Sequence, residues 1–218
     1  NTSNLVLKKF GKAKIITATN VFAHIENVNL LMKNLLRVLK DDGVFISESH
    51  YLVSLIKTNQ YDTIYHEHLR YYSLKSLKYL FEKYGMEIIH AKKINTHGGS
   101  IRVYAARKKR FKVNHSVRKI LSYEKNFLNW KTFNNFKKKV VDSKLKLYSI
   151  LEKLKNNNKK IYGIGAPSRA STLINYVGLD ENIIDCVLEI DGSYKIGNYI
   201  PGKKIPILSE NKLYNDPP

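Results

Sequence analysis

Ten residues, Gln60-Tyr61-Asp62-Thr63-Ile64-Tyr65-His66-Glu67-His68-Leu69, hold two histidines, two tyrosines and two acids. They lie between two apolar-patterned segments, Val44–Ile56 and Leu74–Tyr84, so they read as a connection laid over a scaffold. Connections carry much of the chemistry of folded proteins, and dense clusters of titratable side chains are where proton transfer is arranged. Composition alone leaves two readings open: a proton-transfer site, or a partly buried turn whose histidines and tyrosines satisfy one another. The spacing narrows the chemistry. The helical zinc signature His-Glu-x-x-His needs a histidine where Arg70 stands. In an extended segment His66 and His68 would share one side and Glu67 the other. Two histidines are too few for a stable zinc site, and no third is near in sequence. No metal ligands are therefore assigned, and acid–base work ranks above metal binding.

The rest of the chain must supply the scaffold. Its 218 residues, 43% of them hydrophobic, suffice for one large domain or two small ones. No apolar run approaches eighteen residues, so no membrane span is expected. The single cysteine, Cys186, rules out a disulfide framework and fits a reducing, cytoplasmic location. The first residues, Asn-Thr-Ser-Asn, are neither an initiator methionine nor a signal peptide, and the end at Asp-Pro-Pro is abrupt. The chain reads as a piece of a longer one. A net charge of +20 invites a nucleic-acid partner. The lysines, however, are spread out, with short clusters only at Lys108–Arg110, Lys137–Lys139 and Lys159–Lys160. That distribution argues against nucleic acid and leaves room for an anionic small molecule.

Periodicity then places the elements. Ala13–Ala18 reads as a short buried strand ending at Thr19-Asn20, and Asn27–Lys40 carries Val28, Leu31, Met32, Leu35, Leu36 and Leu39 at helical spacing. Asp41-Asp42-Gly43 is a predicted turn, Val44–Glu48 a strand and Leu52–Lys57 a helical turn. Ser73 starts and Gly85 stops a helix, and strands follow at Met86–Ile94 and Ser100–Arg107. This order is that of the second half of an open α/β sheet. Val113–Leu128 and Thr132–Asn157 are lysine-rich and helical. A second α/β unit opens with the strand Lys160–Gly165 and the helix Ser168–Tyr176, and continues with strands at Ile183–Ile190 and Lys204–Leu208. Gly163-x-Gly165-x-x-Ser168 lacks the third glycine of a dinucleotide fingerprint. It fits a tight strand-to-helix turn, or backbone N–H groups set to meet a phosphate.

Five stretches in order, Asn20–His24 (NVFAH), Gln60–Leu69 (QYDTIYHEHL), Thr96–Tyr104 (THGGSIRVY), Tyr162–Tyr176 (YGIGAPSRASTLINY) and Tyr199–Ile207 (YIPGKKIPI), give the chain a family resemblance. It resembles the S-adenosylmethionine-dependent sugar C-methyltransferases that act on nucleotide-activated keto-deoxysugars. The resemblance implies the C-terminal part of a Rossmann-like methyltransferase domain over 1–110, a helical connector over 111–158 and a smaller Rossmann-like α/β nucleotide-sugar domain over 159–218. In this family zinc belongs to an N-terminal module, and the main S-adenosylmethionine loop to the first half of the central domain. Both are expected upstream of Asn1, and these residues alone are expected to bind the methyl donor weakly or not at all.

The resemblance also implies roles. A base removes the acidic proton beside a ketone, and the resulting enolate attacks the donor methyl. The base matches His68, with Tyr65 and Glu67 beside it; Glu67 would tune the imidazole and a hydroxyl such as that of Tyr65 would stabilise the enolate oxygen. Asn20 and His24 match positions facing substrate. Gly165 and Arg169 match positions near the nucleotide phosphates, Arg169 as an anion contact. Two departures stand out: Arg169-Ala170-Ser171 replaces the usual Lys-Gly-Asn, and Ser49-His50 the usual Val-Pro. His50 adds a titratable group with no assigned role. Rival readings are the same scaffold with another acceptor, and a non-catalytic nucleotide-sugar or nucleic-acid binding module.

Overall fold

Helical and alternating apolar spacings produce an α/β arrangement in both halves of the chain, and a computed structural model describes residues 2–218. The chain divides into two units. The first runs up to Gln60 and again from His66 to Asn134; the second takes Tyr61–Tyr65 and Asn135–Pro218.

The first unit contains α1 (Thr2–Phe10), β1 (Ala13–Thr19), α2 (Val28–Val38), β2 (Leu39–His50), α3 (Leu52–Lys57), α4 (Leu74–Lys83), β3 (Met86–Ile94), β4 (Ser100–Arg107) and α5 (His115–Phe127). Its strands form one sheet in the order β1-β2-β4-β3. β1 and β2 are parallel, and β4 runs antiparallel to both β2 and β3. One face of the sheet buries Phe45, Ile101, Val103 and Ala105 against Phe22, Met32, Leu77 and Phe81. The rings of Phe22 and Phe81 lie 5.6 and 5.9 Å from that of Phe45, at the spacing of favourable aromatic pairs. Local signals set the helix starts. The Asn27 side chain accepts from the Leu30 N–H at 2.9 Å, and Ser73 and Ser76 form a capping box at α4.

The predicted turn at Asp41-Asp42-Gly43 is instead absorbed into β2. Ala13 pairs with Leu39 but Ile15 with Val44, so the three residues form an irregularity in a continuous strand. Lys14, which pairs with Asp42 across this kink, fastens it.

The second unit holds α6 (Trp130–Asn156) from Asn135 onward, then β5 (Tyr162–Ile164), α7 (Ser168–Val177), β6 (Cys186–Glu189), β7 (Ile207–Ser209) and α8 (Lys212–Asn215). Its three strands are all parallel, in the order β5-β6-β7. Ile174, Val177, Val187, Ile205 and Ile207 form its core, with Leu147 and Leu151 of α6 packed on it. All three strands are shorter than periodicity suggests, β5 being trimmed at both ends from Lys160–Gly165. Ile183 and Ile184 donate to the Asp180 carbonyl in a turn, which delays β6 to Cys186. Pro206 has no N–H to give a ladder, although its carbonyl still accepts from Val187 at 2.9 Å. Among the described residues no helix is long and apolar enough to cross a membrane.

Candidate active site

Parallel strands β1 and β2 end side by side: Thr19 pairs with Glu48, and the Asn20 N–H donates to the Glu48 carbonyl at 2.9 Å. Open α/β sheets receive ligands outside such carboxyl ends. Asn20 has φ +55°, a left-handed conformation asparagine tolerates, and it turns the chain off the strand. A single 3₁₀ turn, Phe22–His24, follows. Phe22 is buried in the core and anchors this turn, which leaves His24 exposed beyond the end of β1.

Three backbone acceptors in this loop then catch the segment after His68. Leu69 N–H donates to the Ala23 carbonyl at 2.9 Å, and the Arg70 guanidinium donates to the carbonyls of Ile25 and Glu26, the latter at 2.8 Å. The rings of His24 and His68 are thereby brought to 5.0 Å between centroids. Tyr72 adds a longer tie, its hydroxyl donating to the Phe22 carbonyl at 3.4 Å. Burial pushes the Tyr72 phenol above its usual range, opposed by the charge of Arg70, so it remains a donor.

His50, the last residue of β2, has its ring 5.7 Å from that of His68, and Tyr71 has its ring 6.2 Å away. His50 Nε2 lies 2.7 Å from the His97 carbonyl oxygen. That carbonyl belongs to a turn pinned on several sides. Glu48, which is buried, accepts from Arg102 Nε at 2.8 Å and from Thr96 Oγ1 at 3.0 Å. Gln60 Nε2 donates to the Gly98 carbonyl at 2.9 Å, and Tyr51 N–H to the Gly99 carbonyl at 3.1 Å.

His66 and Glu67 lie in an exposed turn, not in an extended segment, so strand alternation does not order this stretch. The Glu67 carboxylate faces His66 Nε2 at 3.9 Å. Among the described residues no group of three or more His, Cys, Asp or Glu side chains is arranged to hold a metal ion.

The remaining sequence candidates lie in the second unit. Tyr65 ends the Tyr61–Tyr65 segment, which is held to α7. Asp62 accepts from Arg169 Nε at 2.8 Å and Nη2 at 2.7 Å, the Tyr61 and Tyr176 rings are 5.2 Å apart, and Thr172 Oγ1 donates to the Ile64 carbonyl at 3.4 Å. Gly165 has φ +81° and gives its N–H to the Leu188 carbonyl at 2.7 Å, so it makes the tight exit from β5 that an L side chain resists. The next N–H, of Ala166, donates to Glu189 Oε2 at 3.0 Å, and Lys195 Nζ donates to the Ala166 carbonyl at 2.9 Å. Arg169, the second residue of α7, has its guanidinium engaged by Asp62.

Comparison with known proteins identifies the family. Residues 95–218, more than half of the chain, match the model described as the C-methyltransferase C-terminal domain. The chain belongs to the C-methyltransferase family. Residues 1–91 match a methyltransferase-domain model, in keeping with the resemblance read from the five stretches. The C-methyltransferase NovU of Streptomyces niveus is 31% identical over 207 residues, which cover 94% of this chain and 49% of NovU. The chain thus spans about half the length of that curated relative. Magnesium protoporphyrin IX methyltransferase (ChlM) from Synechocystis PCC 6803, solved with bound SAH, aligns with a TM-score of 0.36 and 14% identity, over 47% of this chain and 48% of that one. A likeness that slight carries no argument.

Within this C-methyltransferase chain the structure gathers Asn20, His24 and His68 at one end of the first sheet, and Gly165 and Arg169 at one turn of the second. It adds groups that sequence reasoning gave no part. Arg70 was visible only as the wrong residue for a zinc helix. His97 lay in a family stretch without a role. Asp62 gives no sign in sequence of its partner 107 residues away.

Proposed function

We propose that the protein is an S-adenosylmethionine-dependent C-methyltransferase that acts on a carbon beside the ketone of a nucleotide-linked keto-deoxysugar, with His68 as the base. The observation that carries this reading is the pairing of His68 with His24 at the carboxyl ends of two parallel strands, in a chain of C-methyltransferase lineage. A half-exposed imidazole at that edge can meet a substrate from outside, and Arg70 holds the segment behind it in place. Polar residues at the ends of β1 and β2 fit a bound donor and acceptor laid across them. S-adenosylmethionine supplies, when bound, a methyl group on a positively charged sulfur.

The chain's own residues have the following parts. His68 removes the proton beside the ketone, leaving an enolate on the sugar. Asn20 and His24 orient the sugar and offer hydrogen bonds to its oxygens. Tyr65 offers a hydroxyl to the enolate oxygen, and Glu67 tunes the charge of the His66–His68 stretch. Arg169 meets the nucleotide phosphates, and Gly165, whose own N–H is given to Leu188, lets them approach the turn because it has no side chain; a phosphate there shares the Arg169 guanidinium with Asp62 or displaces it. A positioned base of this kind contributes roughly 10²–10⁴-fold in rate.

The test uses nucleoside-diphosphate keto-deoxysugars in heavy water. Deuterium uptake at the carbon beside the ketone is followed by mass spectrometry for wild type and His68→Ala. Uptake is expected with wild type and a loss of about 10²-fold or more in the variant. Uptake that persists in His68→Ala removes His68 as the base.

A further inference from the structure

We propose that His50 is the proton relay of this site, taking from His68 the proton that His68 has removed and delivering it to solvent. The inference rests on the reading of His68 as the base. Its first ground is a tautomer. A carbonyl oxygen only accepts, so the 2.7 Å contact with His97 places a hydrogen on His50 Nε2. In the neutral ring the lone pair is then on Nδ1, and His50 can accept one more proton. Once it does, the Nε2–H to carbonyl bond becomes charge-assisted and stronger.

The second ground is direction. Around His68 stand His24, His50 and Tyr71, with ring centroids at 5.0, 5.7 and 6.2 Å. His24 sits on the loop fastened by Arg70, and Tyr71 is a phenol, a poor proton acceptor. His50 leads elsewhere: to the turn Thr96-His97-Gly98, whose residues are all exposed. His50 is itself part-exposed, so a proton placed on its ring can pass to water. The rings meet edge to face, at 71°, at the separation of rings in contact.

The third ground is how firmly the turn is made. His97, Gly98 and Gly99 have φ of +51°, +76° and +117° in succession. A Cβ on Gly99 would stand 2.4 Å from Ser54 Oγ. Glycine adopts such conformations freely, but His97 does not: a non-glycine residue held there persists where its surroundings over-determine it, and such places concentrate at functional sites. Here the result is a carbonyl aimed at one nitrogen of His50.

The protons and electrons balance. The substrate C–H bond breaks, its electron pair stays on carbon as the enolate, and the proton joins His68. That pair then forms the bond to the methyl of a sulfonium donor, which leaves as a neutral thioether. His68 gives one proton to His50 Nδ1, and the same nitrogen loses it to solvent while the Nε2–H stays on the His97 carbonyl. Both imidazoles end neutral, ready for the next turnover.

The experiment uses full-length protein, its methyl donor, and a nucleoside-diphosphate keto-deoxysugar that wild type deuterates in heavy water. Methyl transfer is measured in a single turnover with enzyme in excess and at steady state, for wild type, His50→Ala and His50→Asn. The Asn amide can still donate to the His97 carbonyl, so it preserves the turn but cannot relay. Both variants are expected to keep the single-turnover rate within about twofold and to lose about tenfold or more at steady state. Added imidazole should restore His50→Ala in proportion to its concentration, which a merely structural role would not allow. An unchanged steady-state rate in both variants overturns the proposal. So does an equal loss in both regimes that imidazole leaves untouched. Failure of the underlying reading shows separately, as exchange that survives His68→Ala.

Discussion

Glu124 of α5 is separated by 50 residues from Leu74, yet its carboxylate accepts from the first two N–H groups of α4, Leu74 at 2.6 Å and Lys75 at 2.9 Å. A carboxylate at a helix start meets both free donors and the positive end of the helix dipole. It is almost wholly buried, and burial, joined by the Glu124 charge, pushes the neighbouring Tyr51 phenol well above its usual range. Glu124→Ala would leave two N–H groups without their acceptor, at an expected cost of about 2–3 kcal/mol in denaturant unfolding. A loss below about 0.5 kcal/mol would mean that water or Ser73 replaces the carboxylate. At this scale the sequence shows residue types well and partners poorly. His66-Glu67-His68 was visible as a proton-handling cluster, but its apparent symmetry was not real. His68 is drawn to His24, while His66 and Glu67 form an exposed turn.

Turns after strands do the positioning at the scale of elements. The exit from β5 shows how. Glu189, at the end of β6, accepts the Ala166 N–H and lies 3.4 Å from Lys195 Nζ. The Ala166 N–H holds the Glu189 carboxyl below its usual range, against the upward push of burial and with help from Lys195. A carboxyl depressed on folding adds stability above its unfolded pKa of about 4.3, and loses it as pH falls through the lower folded value. Between pH 6 and pH 3, wild type should therefore lose stability more steeply than Glu189→Gln, which starts lower and is flatter. Parallel curves would show that the turn gains nothing from the charge. The glycine pattern around Gly165 announced a strand-to-helix turn. It did not reveal that a carboxylate of the same unit already occupies an N–H that the pattern offered to a phosphate.

Across the whole molecule, 38 basic residues face 18 acidic ones, a net charge of +20. Such an excess repels itself in the compact state, and salt screens that repulsion over about 8–10 Å at 0.1–0.15 M. Thermal unfolding should accordingly move to higher temperature between 20 and 200 mM salt. A shift downward would give the greater weight to ion pairs such as Lys155–Asp185, 2.7 Å apart. The sequence by itself determined the α/β class, the helix starts at Asn27 and Ser73, the family, and the stretch Gln60–Leu69 as a place of interest. These are local properties, written in spacing, caps and motif order. It did not determine that β2 would absorb Asp41-Asp42-Gly43, that Tyr61–Tyr65 would group with Asn135–Pro218, or that His24, His50 and His68 would meet. The tertiary structure decided those, because each depends on contacts between residues far apart in the chain. Arg70 on the carbonyls of Ile25 and Glu26, Asp62 on Arg169, and His50 on the His97 carbonyl are bonds between groups 44 to 107 positions apart. No window of sequence contains both partners, and only closure of the chain brings them within hydrogen-bond distance.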